Sequence, residues 1–118
     1  MTAPPTTRQL GREAESRAAS YLIGRGYTVV VRNYACPGGE IDLICRRGDV
    51  LVFVEVRARS GRHASPEETV SPTKQRRIIR AARQYLATLD EEPACRFDMI
   101  AIEGERLDHL EDAFQTTA

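Results

Sequence analysis

"GGEIDLICRRGDVLVFVEVRARS", residues 38–60, decides the fold. Two runs dominated by Val, Ile, Leu and Phe flank Gly48 and Asp49, a dipeptide suited to a two-residue hairpin turn. Closing the hairpin there sets Arg47 opposite Val50, Ile44 opposite Phe53 and Asp42 opposite Glu55. Because strand side chains alternate, one face then carries Ile41, Leu43, Cys45, Val50, Val52, Val54 and Val56, which is apolar throughout. The other face has Ile44, Leu51 and Phe53 near the turn, and Glu40, Asp42, Glu55 and Arg57 farther from it. A three-residue turn over Arg47, Gly48 and Asp49 would slip the register by one and mix acids with valines. The clean segregation argues for the two-residue turn. Both faces carry apolar residues, so helices on both sides of the sheet are predicted.

Upstream, Ala14, Ala18, Tyr21 and Leu22 recur at helical spacing between Gly11 and Arg25, with Gly24 and Gly26 suited to a helix end. "YTVVVRNY" reads as a strand and "ACPGG" as a turn. Downstream, a long helix starts at Pro66 or Pro72 and runs to about Leu89, with Ile78, Ala82, Tyr85 and Leu89 on one stripe. "CRFDMIAI" is a strand, "EGER" a turn and "LDHL" a short final strand. The predicted architecture is one α/β (α+β) domain in the order α-β-β-β-α-β-β, a five-stranded sheet flanked by helices. It occupies residues 10–114, with tails at 1–9 and 115–118.

Composition narrows the classes. The 118 residues suffice for one core, and 17 basic against 17 acidic residues leave no net charge to draw the whole molecule to a polyanion, so any nucleic-acid surface must be local. Three cysteines without a C-x-x-C pair argue against a disulfide scaffold or zinc knuckle, and Cys45, alternating with apolar neighbours, reads as a buried thiol. No apolar run approaches the roughly 20 residues of a membrane span, and "MTAPPTTRQ" lacks the pattern of a signal peptide. The cytoplasm is the default expectation.

The carboxylates raise the functional question. Like charges facing each other on paired strands repel, the more so beside apolar groups, and Asp42 and Glu55 would stand about 5 Å apart at Cβ. A hard divalent cation such as Mg²⁺ would offset the repulsion, activate a water and stabilise charge on a phosphodiester. The competing reading is a solvated ion network in which Arg57 and Glu40 pair with the two acids. Lys74, Arg76, Arg77, Arg80 and Arg83 on the long helix, and Arg57, Arg59 and Arg62 after the hairpin, read either as solvated faces or as phosphate contacts bordering the acids. His63 and His109 read as ordinary surface or core residues, and Asp98 as an ion-pair partner of Arg96 or a neighbouring arginine. Tyr21, Tyr27, Tyr85 and Phe97 read as core aromatics.

"GEIDLI" followed by "VFVEVR" resembles the PD-(D/E)XK nuclease motif, and the chain more closely resembles the YraN-like family of uncharacterised bacterial proteins. The likeness runs through "GREAESRAASYL", "RGYTVVVRNY", "GGEIDLI", "VFVEVRARS", "KQRRI", "CRFDMIAI" and "HLEDAF", nearly all of the chain beyond residue 10. It implies a restriction-endonuclease-like fold with a central mixed sheet, related to Holliday-junction resolvases. It also implies Mg²⁺ or Mn²⁺ held by Asp42, Glu55 and the carbonyl of Val56, with Glu15 completing the site. Arg57 departs from the superfamily, where Lys is usual; a guanidinium cannot take a proton from water but can orient a phosphate. The expected function is metal-dependent binding, and hydrolysis, of structured nucleic acid, DNA before RNA, with no membrane partner and a homodimer to cut two strands. The candidate nucleic-acid contacts are Arg57, Arg59, Lys74, Arg76, Arg80 and Arg83. Two other readings remain: a catalytically inactive nucleic-acid-binding module, and an adaptor for a protein partner.

Overall fold

A computed structural model describes residues 7–59 and 70–116, excluding the side chains of Thr7, Arg8 and Arg59. The Arg59 contact expected from sequence, Arg62, His63 and the alternative helix start at Pro66 therefore lie outside the described residues. The elements are α1 (Thr7–Gly24), β1 (Thr28–Cys36), β2 (Gly39–Arg47), β3 (Val50–Arg59), α2 (Pro72–Leu86), β4 (Ala94–Glu103) and β5 (Arg106–Phe114). The order α-β-β-β-α-β-β is the predicted one. One mixed sheet runs β1-β2-β3-β4-β5, antiparallel throughout except for the parallel pair β3 and β4. That pair is joined through α2, the kind of crossover that parallel strands require.

The hairpin register is the one read from the sequence: Arg47 pairs with Val50, Ile44 with Phe53 and Leu43 with Val54. Gly48 supplies the positive φ, 58°, that a glycine-first two-residue turn needs. Alternation then divides the core. Leu43, Cys45, Val52 and Val54 pack with Ala14, Ala18, Ala19 and Leu22 of α1. Ile44, Leu51 and Phe53 pack with Ile78, Ala81 and Ala82 of α2 and with Phe97, Met99 and Phe114. Cys45 is a free, buried thiol, and burial first, then the Asp98 charge, pushes its pKa up to about 12.

Four expectations need correction. Ile41 joins the α2 side of the core instead of the face of Leu43, because regular alternation breaks at residue 42. The last strand runs the nine residues Arg106–Phe114 rather than the short "LDHL", since β5 pairs along β4 from Glu103 back to Phe97. Helix α1 begins at Thr7, within the stretch assigned to a tail, while α2 stops at Leu86, where Ala87 caps it.

Helix α2 starts cleanly. Ser71 is its N-cap, its Oγ accepting from the N–H of Lys74 at 3.2 Å, and Pro72 opens the first turn. Its seat on the sheet is close: a Cβ placed on Gly39 would lie 2.5 Å from the Arg77 carbonyl oxygen and 2.9 Å from the Ala81 nitrogen. Backbone cannot yield as a side chain tip can, so Gly39→Ala should push helix and strand apart. A loss of about 1–3 kcal/mol is expected from the overpacking. Urea denaturation measures it, and a variant as stable as the parent would refute the close seat.

Both sheet edges are irregular. Register shifts at Val30 in β1, and Asn33 takes a φ of 55°; in β5 register shifts opposite Asp98, and Asp112 takes a φ of 54°. Such breaks discourage edge-to-edge pairing of chains. Among the described residues no helix is long and apolar enough to cross a membrane.

Candidate functional site

The site forms where the β2-β3 ladder ends. Pairing stops at Leu43 and Val54, and the next inward N–H of β3, that of Val56, donates to Asp42 Oδ2 at 2.7 Å. The carboxylate thus replaces a backbone carbonyl as the ladder's acceptor. On the other side β2 stays paired with β1, Arg32 with Leu43 and Tyr34 with Ile41, leaving left-handed Asn33 level with Asp42. This local irregularity turns Ile41 towards α2 and frees Asp42 from a plain strand position.

Glu55 is only 6% exposed, one of two buried acidic residues among those described. Burial first, then its hydrogen bond to the Asp42 carboxyl and the Asp42 charge, pushes its pKa up to about 8, against a partial offset from Lys74. Two carboxyl groups can share a hydrogen bond only if one is protonated, and the direction of the shift assigns that proton to Glu55. Lys74 Nζ, from the first turn of α2, stands 3.3 Å from Glu55 Oε2 and 3.8 Å from Glu40 Oε1. It is the only lysine of the chain. The N-cap at Ser71 orients the turn that carries it.

Glu15 stands behind this pair on α1. Burial, then the Asp42 charge, raises its pKa, while a hydrogen bond with Asn33 and the charge of Arg32 lower it. Its Oε1 is buried and has no hydrogen-bond partner among the described residues. An unsatisfied buried acceptor costs roughly 1–3 kcal/mol, which makes it a group in want of a cation or a water.

Asp42, Glu55, Val56, Arg57 and Lys74 line one cleft of about 780 Å³ between the N-terminal turns of α1 and α2. Glu13 and Arg17 of α1 also line it, and sequence reasoning missed both. Their signal was available: Leu10, Glu13, Ala14 and Arg17 fall on one helical stripe. Arg57 pairs its backbone beside Ala101 and turns its side chain to the cleft. The structure separates the remaining candidates from these. Arg76, Arg80 and Arg83 line a different groove, together with Arg77, Gly38 and Gln115.

The donor set suits a hard cation. Asp42, Glu55 and the cleft-lining Val56 offer oxygen donors, and Mg²⁺ is commonly held by one or two carboxylates with the remaining positions left to water and substrate. Among the described residues no three Asp, Glu, His or Cys side chains are grouped to enclose a metal ion.

A second acidic centre proves structural. Asp98 is fully buried; Arg96 donates to it through Nε and Nη2 at 2.8 Å each, His109 Nε2 lies 2.8 Å away, and the Asp112 N–H donates at 3.0 Å. Burial alone would raise its pKa, but these partners hold it below the ordinary value. His109 Nδ1 in turn meets the Tyr21 hydroxyl at 3.1 Å, so the expected Arg96 pair is one part of a network tying β4, β5 and α1.

Comparison with other proteins places the chain. It is 50% identical to a UPF0102 protein of Cupriavidus taiwanensis, covering 99% of this chain and 91% of that one. It is 53% identical to one of Cupriavidus necator, covering 95% and 87%, and 50% identical to one of Ralstonia pickettii over the full length of both. The model of the uncharacterised protein family UPF0102 matches residues 14–102. The chain therefore belongs to the UPF0102 family, the YraN-like bacterial proteins whose motifs it carries.

Proposed function

We propose that this protein is a divalent-cation-dependent phosphodiesterase that binds and hydrolyses structured nucleic acid, DNA in preference to RNA, on a restriction-endonuclease-like fold. The observation that carries this reading is the buried Glu55 in hydrogen-bond contact with Asp42, at a cleft lined by Lys74 and Arg57. Two acids held this close and shielded from water are costly without a further partner, and such perturbed acids cluster at functional sites. The mixed sheet with its parallel β3-β4 pair, and the Asp42 and Glu55-Val56-Arg57 spacing, support the superfamily assignment.

Asp42, Glu55 and the Val56 carbonyl would hold Mg²⁺ or Mn²⁺, with Glu15 close behind. When bound, the ion supplies charge neutralisation at the phosphodiester and lowers the pKa of water. The chain's own residues do the rest. Arg57 binds the phosphate and steadies the charge that develops on it. Lys74, 3.3 Å from Glu55 Oε2, would add a second positive charge at the mouth for a bound phosphate. Val56 N–H keeps the Asp42 carboxylate in one orientation.

A melting-temperature rise on adding Mn²⁺ or Mg²⁺ is expected for the native chain and absent in Asp42→Asn, with cleavage of duplex, flap or four-way DNA lost in the same variant. An equal rise in both proteins would refute the site. One observation favours a second reading: Arg57 stands where a proton acceptor is usual and stays protonated. A protein that shifts these DNAs in a gel yet leaves them intact in both metals would be an inactive binding module. A metal response that requires Asp42 removes the adaptor reading.

A further inference from the structure

The charges of this chain balance, yet one groove is lined by four arginines and no acid. It measures about 890 Å³ and follows the outer flank of α2, where Arg76, Arg77, Arg80 and Arg83 meet Gly38 and Gln115. By contrast, Arg46, Lys74, Arg96 and Arg106 each lie within 4 Å of a carboxylate. Among the described residues no carboxylate pairs with Arg76, Arg77, Arg80 or Arg83.

These are not idle surface chains. Arg80 Nε donates to the Pro37 carbonyl at 2.7 Å, and its side chain lies where a Cβ on Gly38 would be 2.8 Å from Nε, so the β1-β2 turn seats it. Arg76 Nη2 donates to Thr73 Oγ1 at 3.2 Å. Both keep other N–H groups to offer, and ordering them in advance lowers the entropy cost of binding. Arg76, Arg80 and Arg83 span about 10 Å of helix, roughly three nucleotides of strand rise. Lys74, which faces the cleft, is about half a helical turn round from this row. One helix therefore turns basic residues in two different directions.

We infer that the outer flank of α2 is a second, metal-independent docking surface for the phosphodiester backbone of nucleic acid, holding a different segment from the one in the carboxylate cleft. The inference rests on the nucleic-acid reading of the cleft and extends it to a substrate that touches two faces of the protein.

The test is fluorescence anisotropy of a labelled 20-base-pair duplex and a four-way junction with the full chain in EDTA, over a potassium chloride series. Arg76→Gln/Arg83→Gln leaves the buried face of α2 untouched; it is expected to lose at least tenfold in affinity at 50 mM salt and to lower the log-log salt slope by roughly 2. Arg12→Gln/Arg106→Gln, with the same change of charge, should stay within threefold of the native chain. The manganese-induced rise in melting temperature should persist in the α2 variant, and Asp42→Asn should lose that rise while still binding DNA. Native affinity and slope in the α2 variant would overturn the inference. So would an equal loss in the control pair, no binding by the native chain in EDTA, or displacement of the duplex by polyglutamate more tightly than by unlabelled duplex. None of these results alters the metal response, which judges the cleft by itself.

Discussion

Asp98→Asn is expected to destabilise the fold by about 3–5 kcal/mol, the usual cost of removing one partner from a buried ion pair. The carboxylate is fully buried and receives two guanidinium N–H groups, an imidazole nitrogen and a backbone N–H. An asparagine can accept through one oxygen only, and its amide would turn N–H groups towards Arg96 or His109. The pH dependence has a definite sign. Because the folded pKa of Asp98 lies below that of the unfolded chain, its contribution is present in full above pH 4 and fades as pH falls through the folded value. Urea titrations should therefore show the gap between parent and variant narrowing in acid. A cost under 1 kcal/mol at pH 7 would mean that the network does not hold β4, β5 and α1 together.

Glu55→Gln is expected to do the opposite to the metal-free protein. An unfolded Glu55 ionises near pH 4.5, whereas the folded one keeps its proton to about 8. Between those values the unfolded chain binds fewer protons, so stability attributable to this group falls as pH rises through that window and levels off above it. Glutamine carries no such penalty and can still donate to Asp42. Its advantage should grow from near zero at pH 4.5 to roughly 2–4 kcal/mol at pH 8.5, read as a rise in denaturation midpoint. The same variant should lose its response to Mn²⁺. Stability gained by disabling a residue is the mark of a site kept for function rather than for folding. A variant less stable than the parent at pH 8.5 would show that Glu55 is there for structure.

The two acidic centres differ in how the chain treats them. Asp98 is surrounded by donors supplied by its own fold, and its proton is driven off. Glu55 is surrounded by another acid and apolar walls, and its proton is retained despite Lys74 3.3 Å away. The same residue class thus serves as mortar in one place and as an unfinished site in the other. Burial is common to both; the donors around Asp98, from His109, Arg96 and the Asp112 N–H, make the difference.

Much of this was legible before any coordinates. The hairpin register from Arg47-Val50 to Leu43-Val54, the order of the elements, the helix on each face and the nearness of Asp42 to Glu55 all follow from alternation and a Gly-Asp turn. These are interactions between residues close along the chain, and a slip of one place would move every side chain to the wrong face. The site was legible as a pair of acids. Its details were not, because Asp42 gives up strand geometry to bind Val56 N–H and carries Ile41 to the other side of the sheet. Periodicity cannot foresee where a ladder ends.

By itself the sequence determined one hairpin, its two faces and the two carboxylates at its open end, since turn chemistry and side-chain alternation act over a few residues. Only the tertiary structure decided that Lys74 reaches the cleft while Arg76, Arg80 and Arg83 face away from it, and that His109 completes the hold on Asp98. The roll of α2 about its axis is set by Ile78, Ala81 and Ala82 docking on a distant sheet face and by the bare backbone of Gly39. That is a sum of many weak contacts between residues far apart in the chain, and no local pattern encodes it.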